Sequence, residues 1–183
     1  MRFEELTVAG AFLVHLERRE DERGSFARTF CVREFEAHGL NPAVVQCSLS
    51  YSEKKGTVRG LHYQVAPALE TKLVRCTRGA AYNVLVDLRS GSATHGMHVG
   101  VELTAAKGSA LYVPASCANG LQTLADETEL LYMTSGWYSP DHERGVRYDD
   151  PSVGIQWPLP VTRVSAKDLA WPPLHGSAAV GGR

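Results

Sequence analysis

Along most of this chain, apolar and polar residues alternate with a period of two. The clearest runs are Lys72 to Thr77, Ala81 to Leu88, His98 to Thr104, Ala110 to Pro114, Gly120 to Leu124 and Glu129 to Ser135, all rich in Val, Leu, Tyr and Thr. Turn signals separate them: Arg78-Gly79, Ser90-Gly91-Ser92, Ala106-Lys107-Gly108 and Ala125-Asp126-Glu127. Short strands about ten residues apart, with no helical stretches between them, predict an antiparallel sandwich or small barrel, with a jelly roll as the preferred architecture. Nearer the start, two apolar stretches, Val8 to Leu16 and Phe26 to Phe30, flank the charged segment Glu17 to Gly24. That segment reads as a solvated connection between strands. Val32 and Phe35, followed by Gly39, suit one short helix over Val32 to His38, closed by a glycine. From Tyr138 onward the prolines at 140, 151, 158, 160, 172 and 173 predict an irregular C-terminal segment, and residues 176 to 183 are expected to fray.

Length and charge narrow the function. The 183 residues suit one domain spanning the chain. A net charge of -1 leaves no overall field for nucleic acid or anionic lipid. No stretch approaches the roughly 18 apolar residues of a membrane span, and the N-terminus lacks a secretory signal, so the expected location is the cytoplasm. Cys31, Cys47, Cys76 and Cys117 are widely spaced and read as ordinary thiols.

The chemistry concentrates in Lys55 to Gln64, where Arg59 can bind an anion and His62 can move a proton. Tyr132, on a predicted strand, can return a proton, although on composition a strand tyrosine is more often core. Lys72 shares the parity of Val74 and Cys76, so an inward face would carry its ammonium into the barrel, where an anion or oxyanion must meet it. On position alone Asp168 reads as a surface acid, and Trp137 and Tyr138 as core. A metal is not expected: the position two beyond His62 is Gln64, and His95 and His98 are three apart, which suits a strand poorly. No glycine-rich phosphate loop precedes a helix.

In order along the chain, Gly56-Thr57-Val58-Arg59-Gly60-Leu61-His62-Tyr63-Gln64, Lys72-Leu73-Val74-Arg75, Val86-Asp87-Leu88-Arg89, Tyr138-Ser139-Pro140-Asp141-His142-Glu143-Arg144-Gly145, Asp149-Asp150-Pro151 and Ser165-Ala166-Lys167-Asp168 resemble the dTDP-4-dehydrorhamnose 3,5-epimerase family. The resemblance spans roughly residues 18 to 174. It implies an all-β, cupin-type double-stranded β-helix, acting as a homodimer without cofactor on a nucleotide-diphospho-4-keto sugar. It makes His62 the base, Asp168 its partner, Lys72 the support for the enolate oxygen and Tyr132 the acid on the opposite face. It also assigns Arg59 to the diphosphate, and Arg23 and Phe26 to the nucleotide, reached across the dimer. Gln46, Glu143 and Lys167 fall on substrate-binding positions, and Tyr138 on one that stacks near the base.

Four positions depart from the family's pattern. Arg28 stands for a glutamate, Cys47 and Ser48 for an acid and an amide, and Asn119 for a histidine close to the reacting sugar. The proton-transfer set is retained and the substrate-facing set is altered. The first reading is therefore an epimerase of a 4-keto-6-deoxy sugar nucleotide at C3, C5 or both. The alternatives are a ketoisomerase or lyase on the same fold, or a binding protein that no longer turns substrate over.

Overall fold

In the computed structural model, which describes residues 1–174, two antiparallel sheets face each other. The strands are β1 (Arg2–Glu5), β2 (Phe12–His15), β3 (Arg19–Asp21), β4 (Gly24–Phe26), β5 (Gln46–Ser52), β6 (Val58–Gln64), β7 (Lys72–Arg78), β8 (Ala80–Asp87), β9 (His98–Thr104), β10 (Ala110–Val113), β11 (Cys117–Thr123), β12 (Thr128–Thr134) and β13 (Glu143–Gly145). The larger sheet runs β1-β2-β10-β7-β12-β5 and the smaller β13-β6-β11-β8-β9, the strand arrangement of a cupin-type jelly roll. The stretch from 176 to 183, expected to fray, lies outside the described residues.

Alternate residues of the two sheets meet in a shared core. Val74 and Cys76 of β7, Leu111 and Val113 of β10 and Leu130 of β12 pack against Ala81 and Leu85 of β8, Leu103 of β9 and Leu121 of β11. Each fully buried leucine contributes about 1.5–3 kcal/mol relative to exposure. Both sheets are also covered on their outer faces, so β10 and much of β8 are buried on both sides and lose the polar half of the alternation. Helix α1 (Val32–Ala37) lays Phe35 on Leu73, Ala110 and Tyr112, and Gly39, at φ 68°, closes the helix as its position predicts. The proline-rich segment covers the other sheet, with Val146, Val153 and Trp157 over Leu61, Val84 and Val86. It contains a 3-10 turn at Pro140–His142 and a short helix, α2 (Ala166–Leu169), whose N-terminal Ser165 Oγ accepts the Asp168 N–H at 3.0 Å.

The charged segment of the N-terminal region is more than a connection. It folds into its own exposed hairpin, β3 paired with β4, because Gly24 can take φ 128° just after the turn.

Asp87 is the principal buried charge at the far end of β8. It accepts hydrogen bonds from Arg89 Nη2 at 2.7 Å and from the Ser92 and Thr94 hydroxyls at 2.6 Å each. Burial alone raises its pKa, but these bonds outweigh burial and hold the carboxyl far below the usual carboxylate range. Asp87→Ala, which strands Arg89 without its partner, is expected to lower unfolding free energy by about 3–5 kcal/mol in urea melts at pH 7. A carboxyl depressed on folding stabilises fully above its unfolded value of about 3.9, and that contribution is lost as pH falls through the folded value. The gap between wild type and variant should therefore close only in acid.

Candidate active site

A cavity of about 730 Å³ opens between the two sheets. His62 reaches it from β6 of the smaller sheet, while Lys72 and Tyr132 reach it from β7 and β12 of the larger, so the candidate base and acid stand on facing walls. Gly60 sets the approach of β6. A Cβ there would lie 2.7 Å from both the Asn119 carbonyl oxygen and Gly120 Cα, and its φ is 104°. The close backbone contact accompanies a register shift between β6 and β11 and brings Asn119 opposite His62.

The His62 Nε2–H donates to Asp168 Oδ1 at 2.5 Å across 106 residues of chain, leaving Nδ1 without a protein partner among the described residues. The other carboxylate oxygen of Asp168 accepts the Gly60 N–H at 3.2 Å. Asp168 is buried, not the surface acid its isolated position suggested. Burial raises its pKa, but the hydrogen bond and charge of His62, with the Gly60 and Ser165 contacts, prevail and keep the carboxyl below its ordinary value. Trp171 stands edge-on to the imidazole with centroids 6.3 Å apart. It fits because residue 145 is glycine: a Cβ there would lie 2.3 Å from the indole.

Lys72 follows its parity into the cavity and donates to the His62 carbonyl at 3.2 Å, with Glu70 Oε1 at 3.4 Å. Burial raises the Glu70 pKa against the opposing pull of Lys72. Glu70 carries no motif signal in the sequence, since it precedes β7 in a loop, and the structure places it at the site by its position in the cavity lining and its salt bridge to Lys72. Tyr132 is partly buried within the barrel. Its enclosure raises the phenol pKa well above the ordinary value, with Arg59 pulling weakly the other way.

At the mouth, four predicted binding residues form one chain of contacts. The Gln46 carboxamide oxygen accepts the Tyr138 N–H at 2.7 Å, the Tyr138 hydroxyl donates to Glu143 at 2.8 Å, and Lys167 donates to the same Glu143 oxygen at 2.6 Å. Trp137 and Tyr138 are exposed, correcting the expectation of core, because the strand ends at Thr134 and leaves them beyond the sheet. Gln64 ties this rim together: its amide donates to the Ala68 and Trp137 carbonyls, and its oxygen accepts the Ser139 N–H. Arg59 also borders the cavity and donates to Ser52 Oγ and the Tyr51 carbonyl.

Other predicted residues lie elsewhere. Arg23 is exposed in the β3–β4 turn and paired with Asp21, while Phe26 and Arg28 border a separate hollow, with Arg28 3.0 Å from Glu34. On β5, Ser48 faces the cavity and Cys47, one residue away, is exposed outside its lining. Of the four departures from the family pattern, Ser48 and Asn119 therefore line the cavity, whereas Arg28 and Cys47 do not. Among the described residues no three His, Cys, Asp or Glu side chains are grouped to hold a metal ion, and no helix is long and apolar enough to cross a membrane.

The molecule is a cupin-type barrel with an imidazole on one wall of its cavity and a phenol and an ammonium on the other, and its family is one of isomerases. Residues 5–176 match the family model described as dTDP-4-dehydrorhamnose 3,5-epimerase. An enzyme of that name from Sinorhizobium fredii is 42% identical over 175 residues, 95% of this chain and 90% of the relative. The crystal structure of dTDP-4-dehydrorhamnose 3,5-epimerase from Elizabethkingia anophelis superposes with a TM-score of 0.94 at 32% identity, covering 97% of this chain and 98% of that one. ChmJ, a 3'-monoepimerase from Streptomyces bikiniensis solved in complex with dTDP-quinovose, superposes at 0.85 with 32% identity, covering 93% of this chain and 86% of that one. The chain belongs to the dTDP-4-dehydrorhamnose 3,5-epimerase family.

Proposed function

We propose that this protein epimerises a 4-keto-6-deoxy sugar carried on dTDP, at C3, C5 or both, by enolisation. The observation that carries the reading is the His62–Asp168 pair on one wall of a cavity whose other wall presents Tyr132. His62 Nδ1 takes the proton from a carbon next to the C4 ketone. The bonding pair moves into the ring as the enolate, whose negative charge gathers on the ketone oxygen beside Lys72. Asp168 steadies the imidazolium so formed. The phenol of Tyr132, kept protonated by its burial, then gives its proton to the opposite face of the same carbon. Solvent exchange returns His62 and Tyr132 to their starting states.

Arg59 is the diphosphate contact in this reading, while Gln46, Tyr138, Glu143 and Lys167 receive the nucleotide end at the mouth. The working unit is a homodimer, in which the β3–β4 hairpin carries Arg23 and Phe26 to the partner's cavity. In support, Phe26, Leu49 and Tyr51 are large apolar side chains left exposed on the hairpin and on the outer face of β5.

The test is turnover of dTDP-4-keto-6-deoxyglucose in D2O, followed by NMR. Deuterium should enter at C3, C5 or both with inversion at each exchanged centre. In Tyr132→Phe, exchange should persist at a reduced rate while inverted product falls about 100-fold or more. Tight binding without exchange at either centre would refute the epimerase reading.

A further inference from the structure

Asn119 lies next to His62 across the strand pair, lines the cavity and is only 5% exposed. Its amide is fixed end for end by two acceptors beneath it: Nδ2 donates to the Val84 carbonyl at 2.9 Å and to Asn83 Oδ1 at 2.6 Å. The first is a backbone oxygen, which can only accept. Turning the Asn119 amide over would set its oxygen against that carbonyl, and the second contact then fixes the Asn83 amide as well. Both hydrogens of Asn119 are used, and its Oδ1 takes no hydrogen bond from any described residue. Asn83 sits one layer down, fully buried, with its own Nδ2 unpaired. A buried unpaired amide is destabilising, so an asparagine there needs a reason beyond packing, and holding the Asn119 amide supplies one.

We infer that Asn119 determines specificity by presenting a fixed hydrogen-bond acceptor, Oδ1, to a hydroxyl of the substrate's sugar ring, with Asn83 as its positioning residue. This rests on the sugar-nucleotide reading above and adds an orientation to it. An oxygen acceptor repels a developing oxyanion, so the ketone oxygen turns away from Asn119 toward Lys72 on the facing sheet. The hydroxyl turns the other way, toward the smaller sheet. Asn119 is thereby excluded from stabilising the enolate.

The experiment measures equilibrium binding, so it does not depend on turnover. Calorimetric Kd values are compared for dTDP-quinovose and for its 2-deoxy and 3-deoxy analogues, with wild type, Asn119→Leu and Asn83→Ala; Asn119→Ala replaces the leucine variant if that fails to fold. Wild type should bind one deoxy analogue about 10- to 100-fold more weakly than the parent, and which analogue suffers identifies the hydroxyl. Asn119→Leu should bind parent and that analogue alike. Asn83→Ala should also narrow the ratio, which a purely structural role would leave unchanged while lowering only the melting temperature. Equal binding of all three ligands by wild type, or discrimination that survives in Asn119→Leu, overturns the inference while leaving the epimerase reading intact. Failure of wild type to bind any of the three overturns both.

Discussion

His62→Ala should lower the rate of solvent deuterium exchange at the carbons flanking the ketone by about 1,000- to 10,000-fold, with the Kd for dTDP-quinovose changed only a few-fold. Among the described residues His62 is the imidazole that lines the cavity, with one nitrogen committed to Asp168 and the other without a protein partner. Its removal leaves Tyr132 on the opposite wall, but burial holds that phenol protonated, so it cannot take over as base. Lys72 is already engaged, donating to the His62 carbonyl and paired with Glu70. The measurement is single-turnover proton exchange in D2O by NMR. Exchange within tenfold of wild type would assign the base elsewhere.

Asp168→Asn should cost about 100-fold in the same rate, with KM little changed. The asparagine keeps the size of the side chain and can accept the Gly60 N–H, so the backbone under His62 stays in place. It lacks the negative charge that holds the Nε2 proton and steadies the imidazolium, and that is a transition-state effect. A raised KM at unchanged kcat would mean instead that Asp168 serves only to shape the cavity. Because folding depresses this carboxyl, it stays ionised below the pH at which a free aspartate protonates.

The barrel was legible because a period of two survives wherever one sheet face meets the core and the other does not. Glycine turns mark most strand ends, as Gly79 does at φ 74° between β7 and β8. Lys72 could be aimed into the cavity by parity alone. Asp168 could not. Its burial depends on α2 folding back beneath Gly60, a long-range contact that no local pattern encodes, and only family resemblance pointed to it. The same limit hid Glu70 and the Asn119–Asn83 pair, whose chemistry arises from neighbours on other strands. Trp137 and Tyr138 were misread for a related reason: aromatic character suggests burial, but where β12 stops decides it. Cys47 and Ser48 differ in a simpler way, since adjacent strand residues point to opposite faces and only Ser48 meets the cavity.

The helix that carries Asp168 follows every strand of both sheets in the chain. A ribosome adding 5–20 residues per second needs roughly 5 to 20 s to pass from His62 to its carboxylate partner. Through that interval the emerging barrel can collapse around its apolar interior while its imidazole has no counter-ion. The His62–Asp168 pair, on which the proposed mechanism turns, is therefore among the last contacts the nascent chain can form. A ribosome stalled between β13 and α2 would hold a chain with every strand synthesised and no carboxylate beneath His62.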